Sequence, residues 1–421
     1  KTVPSEGNDA QFATSATEEM KACFTPDSDN HMVSYKDEGL YLSTKPTYSD
    51  LYYKKDYFYS DSACTKSTGI TKFSEAVSSM FSTGTIHMLS QYSSTTNEET
   101  TVPAGRNITV VRDESLKGTS MFSITGGTFT VNATDTSSSI TFDGKKIETA
   151  VKQGGAFYVN GGNINLSGAE RTVDGQTEKT IVIKQNTVSS SYAQGGGVYI
   201  NGNGTNTLTN CSITGNTATT SFYAEGGGVY IGNGTNALEN CSITGNTASS
   251  SGNAYGGGVH TAYGTNALTN CSIKDNTASS SSSAQGGGVY IGNGTSTLES
   301  CSITSNTASS DDAYGGGVYI TGSGTKTLLG KMTVTDNTVV VGSDSSANNM
   351  YFNSDKTVAL SDGNGKTLSA DSSIGVTTKT APTEGNDLQF ATSATEEMKA
   401  CFKPDSDSYV VSYKDECLYL S

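Results

Sequence analysis

Cysteines recur at fixed intervals in the middle of this 421-residue chain, and thiols can bind metals or form disulfides. The four members of this column, Cys211, Cys241, Cys271 and Cys301, follow one another at intervals of 30 residues. A metal site needs convergent ligands, and no His or carboxylate shares the column. Side chains stacked about 4.8 Å apart also exceed the roughly 3.8 Å Cβ separation of a disulfide. We therefore predict free thiols that fill a narrow core.

A second column is aromatic and lies between apolar positions, so we expect it to point outward from the core. Exposed rings in a line can bind sugar rings or a protein partner. Alternatively, the rings stack from one repeat to the next and only stabilise that face. The column is the best candidate binding site, and its members are Tyr158, Tyr199, Tyr230, His260, Tyr290 and Tyr319.

A third column consists of asparagines at nearly the same spacing. Stacked amide side chains hydrogen-bond to one another when like residues are in register. We therefore predict a structural ladder rather than a catalytic set, formed by Asn186, Asn216, Asn246, Asn276, Asn306 and Asn337.

Catalytic constellations are sparse in this sequence. Enzymes that cleave polysaccharides need clustered carboxylates, or Arg and Lys together with Ca²⁺, on one face. Here Asp311 and Asp312 lie in a Ser-rich segment without matching acids in neighbouring repeats, and the three Arg lie outside the regular repeats. The three His residues form no pair in the sequence. We expect no enzyme, no metal site and no cofactor, and we keep a polysaccharide lyase or glycosidase as the third alternative.

The columns arise because residues 195–338 repeat a unit of about 30 residues that contains GGGVYI and, later, CSITGN. Apolar residues alternate with polar ones, as in Val198-Tyr199-Ile200, which indicates strands with one buried face. Glycine-rich and Asn-Gly clusters separate the strands. A leucine-rich horseshoe or a propeller would need other periods and motifs. The sequence predicts an all-β, right-handed parallel β-helix of about 30 residues per coil.

The GGGVYI and CSITGNTA motifs resemble the repeats of polymorphic outer-membrane proteins and related right-handed β-helix adhesin-like proteins with a pectate-lyase-like fold. The resemblance covers about residues 72–375, and it implies a surface or adhesive role. This chain has Cys where those repeats carry Phe.

A longer repeat surrounds the coils. Residues 379–421 repeat residues 1–43 with an offset of 378 and differ at only eight of the 43 positions. We interpret this as one module and the start of the next in a tandem array. The predicted divisions are a small β-rich or α+β head domain at 1–70, a capping helix at 71–83, the parallel β-helix at 84–378, and a second head at 379–421.

Four cysteines outside the coils are candidates for disulfides in an extracellular protein. The two candidate pairs are Cys23 with Cys64 and Cys401 with Cys417. Against a pair within each head, the first copy has Gly39 where the second has Cys417.

The overall charge restricts the partners. A net charge of −15 with 26 basic residues argues against a nucleic-acid partner, and no apolar run is long enough for a membrane span. We expect an extracellular or cell-surface module of a stalk, fibre or layer, with tandem copies of itself as partners. The alternative is an adhesin that binds glycans or a host surface through the aromatic column.

Overall fold

The computed structural model describes residues 10–24, 31–44, 46–147, 149–383 and 386–421. Strands account for 53% of the residues and helices for 4%, so the predicted all-β class is confirmed. The main body is a right-handed parallel β-helix, as predicted, with about 12 turns.

Each turn contributes one strand to each of three faces, and strands of successive turns pair in parallel. Face 1 consists of Tyr92–Ser94, Phe122–Ile124, Phe157–Asn160, Val198–Asn201, Val229–Ile231, Val259–Thr261, Val289–Ile291, Val318–Ile320 and Met350–Phe352. Face 2 consists of Glu98–Thr101, Thr128–Ala133, Asn163–Gly168, Thr205–Thr209, Thr235–Glu239, Thr265–Thr269, Thr295–Glu299, Lys326–Leu329 and Val358–Ala359. Face 3 consists of Met80–Met88, Asn107–Arg112, Ser139–Asp143, Ile181–Lys184, Cys211–Thr214, Ser242–Thr244, Ser272–Lys274, Ser302–Thr304, Thr333–Thr335 and Ser373–Thr378.

Like residues lie on top of each other because the turns are in register. Val229 pairs with Val259 on face 1, Leu238 with Leu268 on face 2, and Ile243 with Ile273 on face 3. These side chains are buried in one core that extends along the solenoid. Stacked identical side chains fill the core evenly, so each turn needs only a few apolar residues.

The Ser-rich segment of each repeat adds two more short strands. One set consists of Thr187–Ser189, Thr217–Thr220, Thr247–Ser250, Thr277–Ser280, Thr307–Ser309 and Thr338–Val341, and the last of these pairs with Asp344–Ala347. The other set consists of Tyr192–Gln194, Tyr223–Glu225, Asn253–Tyr255, Ser283–Gln285 and Asp312–Tyr314. Buried alanines such as Ala218 and Ala224 form a second core between the two sets. Alanine is small enough for these strands to approach closely.

The glycine triplets connect this second core to face 1, where the backbone is crowded. Gly226 has a φ of +64°, a conformation that side chains disfavour. A Cβ at Gly227 would collide with backbone atoms of Gly257 and Thr247. The repeated GGG motif is therefore explained by backbone packing.

A short helix, Phe73–Ser78, covers the N-terminal end of the core with buried Phe73, Ala76 and Val77. The Phe73 ring lies 5.0 Å from the Phe122 ring, and its backbone N–H donates to Glu98. The helix is shorter than the predicted 71–83, because Met80 already begins a strand of face 3. That strand also pairs in parallel with Tyr48–Lys54, which forms a hairpin with Tyr57–Tyr59.

The two copies of the long repeat share three strands and a 3₁₀ helix, and the second copy has one further strand, Phe402–Pro404. The first copy comprises Ala10–Ala13, a 3₁₀ helix at Glu18–Cys23, His31–Lys36 and Gly39–Thr44. The second comprises Leu388–Thr392, a 3₁₀ helix at Glu397–Cys401, Phe402–Pro404, Val411–Lys414 and Cys417–Leu420.

The structure divides the chain differently from the predicted head domains. Residues 48–59 belong to the solenoid, because their strands join face 3. The second copy also continues the solenoid, since Val358 pairs with Ala391 and Ile374 with Phe402. Long-range strand pairing of this kind leaves no signal in the local sequence.

Candidate functional site

The aromatic column forms one continuous stack along face 1. Ring centroids of successive members lie 4.5–5.3 Å apart, in the order Tyr158, Tyr199, Tyr230, His260, Tyr290 and Tyr319. Tyr351 extends the stack at 5.4 Å from Tyr319. The sequence analysis missed Tyr351 because an irregular turn changes its spacing. The geometry matches the alternative in which the rings stack from turn to turn.

The expectation that these rings are exposed is wrong. Tyr199, His260 and Tyr319 are buried, and the other three members are half-buried. Side chains of the second core's strands, such as Tyr255, pack beside the stack, with 5.1 Å between the Tyr255 and Tyr290 rings. Burial raises the pKa of Tyr199 to about 12. The column therefore offers little ring surface to a ligand.

His260 is the one imidazole in this stack, and its surroundings are polar on one side only. Its Nδ1 lies 4.0 Å from a carboxylate oxygen of Glu225 and has no hydrogen-bond partner. The rings of Tyr230, Tyr255 and Tyr290 surround it. Burial lowers the pKa of His260, and Glu225 opposes this effect more weakly. The imidazole is therefore neutral in the folded protein at neutral pH.

The asparagine column is a hydrogen-bonded ladder between the two cores. Asn246 shows the pattern: its Nδ2 donates to Asn276 Oδ1 at 3.0 Å and to Ile213 O at 2.8 Å. Its backbone N–H also donates to Asn276 Oδ1, at 2.9 Å. The same pattern holds for Asn186, Asn216, Asn276, Asn306 and Asn337.

Two further residues extend the asparagine ladder to the second copy. Asn349 accepts from Asn337 and donates through Nδ2 to Asp405 at 2.6 Å. The Asp405 carboxylate also accepts from the Asn349 backbone N–H at 2.8 Å and from Thr377 Oγ1 at 2.7 Å. Asp405 thus accepts the hydrogen bonds that Asn349, the last asparagine of the ladder, donates.

The four column cysteines are buried free thiols. Each points into the main core and contacts a backbone carbonyl, as Cys241 does with Leu208 O at 3.3 Å. Hydrogen bonds among the stacked thiols, together with burial, raise the pKa of Cys241 and Cys301. Thiols buried in an apolar core are inaccessible, so they are poor nucleophiles and poor metal ligands.

The predicted disulfide between Cys401 and Cys417 is not formed, since both residues are free thiols. The Cys401 thiol faces the solenoid end and contacts Ser369 O at 3.4 Å. Cys417 lies on another strand and accepts a hydrogen bond from Gln389 at 3.1 Å. Cys64 is also a free thiol, which contradicts its predicted pairing with Cys23, whose side chain lies outside the described part of the structure.

One insertion breaks the regularity of the coils and creates a groove. Glu170–Val173 and Gln176–Lys179 form an antiparallel hairpin between face 2 and face 3. It borders a groove of about 550 Å³ on the outer side of face 3. The floor carries a row of hydroxyl groups from successive turns, Ser212, Ser242 and Ser272.

Three cations and one carboxylate line this groove, Arg171, Lys179, Lys184 and Glu178, and each cation pairs with a carboxylate. Arg171 lies 3.2 Å from Glu178 and Lys184 lies 3.4 Å from Asp143, while Lys179 pairs with Glu170. Arg171 Nε is buried without a partner. Hydroxyls next to paired charges suit an extended polyhydroxyl ligand. The sequence signal was a charged insertion in otherwise nearly uncharged coils.

A family model for right-handed β-helix regions matches residues 116–362. The chain belongs to the right-handed β-helix family. This family includes both enzymes of the pectate-lyase type and proteins that are not enzymes, so membership establishes the fold and leaves activity open. No match was found among curated proteins or among solved structures.

Within the described ranges, no group of three or more His, Cys, Asp and Glu side chains converges as a metal site would require. No helix in the described part is both long and apolar enough to cross a bilayer.

Proposed function

We propose that this chain is a structural module of a stiff extracellular stalk, fibre or surface layer built from tandem β-helix units. The observation that carries the proposal is the unbroken asparagine ladder, which continues from Asn186 to Asp405 in the second copy. Bending the solenoid would open rungs of this ladder in a buried environment, where unpaired polar groups are costly. The aromatic stack and the second core run parallel to the ladder and support the same stiffness.

Several features support a role outside the cell and without catalysis. The regular coils are nearly identical, whereas an active site requires a local departure from the repeat. The acidic surface, with a net charge of −15, keeps neighbouring rods from aggregating. The resemblance to adhesin-like proteins favours the cell surface as location.

Electron microscopy of the native material tests the structural proposal. About 12 turns at a spacing of roughly 4.8 Å give a solenoid about 60 Å long. We expect straight filaments with one axial repeat of about 50–100 Å per module. Flexible strings of beads, with random angles between modules, would contradict the proposed stiffness.

A second candidate function is adhesion to glycans or a host surface, and the groove beside the hairpin favours it. The groove, rather than the half-buried aromatic column, offers open polar groups to a ligand. A glycan array would test the wild-type chain against Arg171→Ala with Lys184→Ala, and against Tyr199→Ala with Tyr230→Ala. Loss of binding in the first variant alone assigns adhesion to the groove, whereas loss in the second alone assigns it to the column. Wild-type chain that binds no glycan would remove this candidate.

A polysaccharide lyase or glycosidase is the remaining alternative within this family. It is tested by incubating the full chain with acidic polysaccharides, with and without Ca²⁺. We expect no new reducing ends and no unsaturated products. Cleavage that depends on Glu178 or Asp143 would overturn the non-catalytic proposal.

A further inference from the structure

The two copies of the long repeat fold alike in two different environments. In the first copy, Gln11 pairs with Tyr41 and Ala13 with Leu40. In the second copy the equivalent pairs are Gln389 with Tyr419 and Ala391 with Leu418, with the same irregularity between them. The segment therefore determines its own local fold, and the two copies can be compared position by position.

The two copies differ in whether one apolar face is covered. Phe12, Met20 and Phe24 of the first copy are 45%, 48% and 48% exposed. Their equivalents Phe390, Met398 and Phe402 are 0%, 6% and 5% exposed. The small inner core is buried in both copies, as Leu40 and Leu418 show. The difference is thus confined to the face that the second copy turns toward the solenoid.

The end of the solenoid covers this face in the second copy. The Phe390 ring lies 5.7 Å from the Phe352 ring, and Phe402 pairs with Ile374. Val358, Leu360 and Val376 complete the same buried cluster. Without the second copy, these apolar side chains and the last strand edges would face water.

The exposed face of the first copy already has the docked geometry. The Phe12 and Phe24 rings lie 5.3 Å apart with an interplanar angle of 65°. In the docked copy, the Phe390 and Phe402 rings lie 5.3 Å apart at 61°. Little rearrangement is therefore needed for docking, which favours binding. In the described part of the chain, no solenoid strand pairs with the first copy.

We propose that the first copy, residues 10–44, docks through Phe12, Met20 and Phe24 on the C-terminal solenoid end of a second copy of this module. The receiving surface is the one formed by residues 350–378. The inference rests on the proposed structural function for its role, because such docking joins successive rods into one continuous solenoid. Docking requires a receiving module whose own second copy is absent from its solenoid end or displaced from it.

Substitutions at equivalent positions of the two copies provide a matched test in the full chain. In Phe390→Asp with Phe402→Asp, buried charge displaces the second copy and opens the solenoid end. The first copy of another molecule should then occupy that end. We expect the wild-type chain to be monomeric and this variant to form head-to-tail oligomers at micromolar concentration in analytical ultracentrifugation. Adding Phe12→Asp and Phe24→Asp should return the variant to monomers.

The controls separate this docking from unspecific association. Phe12→Asp with Phe24→Asp alone should remain a monomer with unchanged thermal stability, because those rings are exposed. Oligomers that persist in the fourfold variant, or a folded open-end variant that stays monomeric, would overturn the inference. If Phe390→Asp with Phe402→Asp does not fold, the single substitution Phe390→Ala opens the solenoid end more mildly. Wild-type chain mixed with this variant should then co-sediment with it. Chain carrying Phe12→Asp and Phe24→Asp should not. If docking fails but microscopy still shows straight filaments, the proposed structural function stands and only this interface is rejected.

Discussion

At the scale of single residues, polar groups inside the β-helix are stable only where the next turn supplies a partner. Asn246 meets this condition through Asn216, Asn276 and Ile213, so all of its side-chain bonds are within the protein. His260 does not meet it, because its Nδ1 is buried without a partner near Glu225. These two residues should therefore respond in opposite ways to substitution.

Asn246→Ala is expected to destabilise the protein by about 2–4 kcal/mol. The substitution leaves the amide of Asn216 and the carbonyl of Ile213 buried without their partners, and each such group costs about 1–3 kcal/mol. Urea denaturation followed by circular dichroism would measure the loss. Asn233→Ala is the matched control, because Asn233 forms a similar turn-to-turn bond on the exposed surface; its effect should stay within about 0.5 kcal/mol. Equal effects of the two substitutions would show that burial does not decide the ladder's contribution.

His260→Tyr should stabilise the protein and reduce its sensitivity to acid. Burial lowers the pKa of His260 in the folded state below its ordinary value of about 6.5. As the pH falls through 6.5, the unfolded chain therefore binds the proton first, and stability is lost below that pH. Between pH 7.5 and 5.5, we expect the free energy of unfolding of the wild-type protein to fall by about 1 kcal/mol more than that of His260→Tyr. Chemical denaturation at both pH values measures the difference, and identical losses in both proteins would contradict the assignment to His260.

At the scale of the elements, each strand is stable because its neighbour has the same residue at the same height. The cysteine column illustrates this. Equivalent positions in successive turns of face 3 are occupied by Cys211, Cys241, Cys271 and Cys301, and almost none of their surface is exposed. Their burial depends on the pairing of neighbouring strands and not on any one strand. Thiol reactivity therefore reports whether these strands are paired.

The four column thiols should not react with iodoacetamide in the native protein. A thiol buried in the core is inaccessible to the reagent, so alkylation must wait for unfolding. Cys64 and Cys417 are half-buried and serve as internal controls that should react first. Mass spectrometry of the alkylated peptides, with and without denaturant, measures this order. Native labelling of Cys241 or Cys271 at the rate of Cys64 would show that face 3 opens under native conditions.

At the scale of the whole molecule, the β-helix behaves as a stack of nearly interchangeable turns. Val198 pairs with Val229, and Val229 pairs with Val259, with the same partners on all three faces. Stability in such an array is the sum of turns and of the contacts between neighbours. The length of the rod can therefore change by whole turns.

Deletion of residues 229–258 should give a folded protein that is shorter by one turn. The deletion joins Gly228 to Val259, which then pairs with Val198 in the register that Val229 had. Circular dichroism and small-angle scattering should show retained β-structure and a rod shortened by roughly 5 Å. Deletion of residues 229–243 is the control, because the loss of half a turn leaves the following strands out of register with the preceding turn. A folded control and an unfolded full-turn deletion would contradict the repeat model.

The β-helix, its period and the contents of its columns follow from the sequence alone. A spacing close to 30 residues leaves few alternatives, because like residues such as Ile213 and Ile243 must stack to be buried together. The same regularity placed Asn246 and Cys241 in their ladders. Periodicity is a local property of the sequence, so it can be read without knowing which strands pair at long range.

Which surfaces remain open depends on the tertiary structure. The Ser-rich segments form a second alanine core beside face 1, and this core buries much of the aromatic column that alternation alone had assigned to the outside. The hairpin of residues 170–179 creates a groove by folding over face 3, where Ser242 and Ser272 of later turns, distant in sequence, line the floor. Phe12 and Phe390 have nearly the same sequence context, yet one is exposed and the other buried. What covers a side chain depends on distant segments, and that information is absent from local patterns.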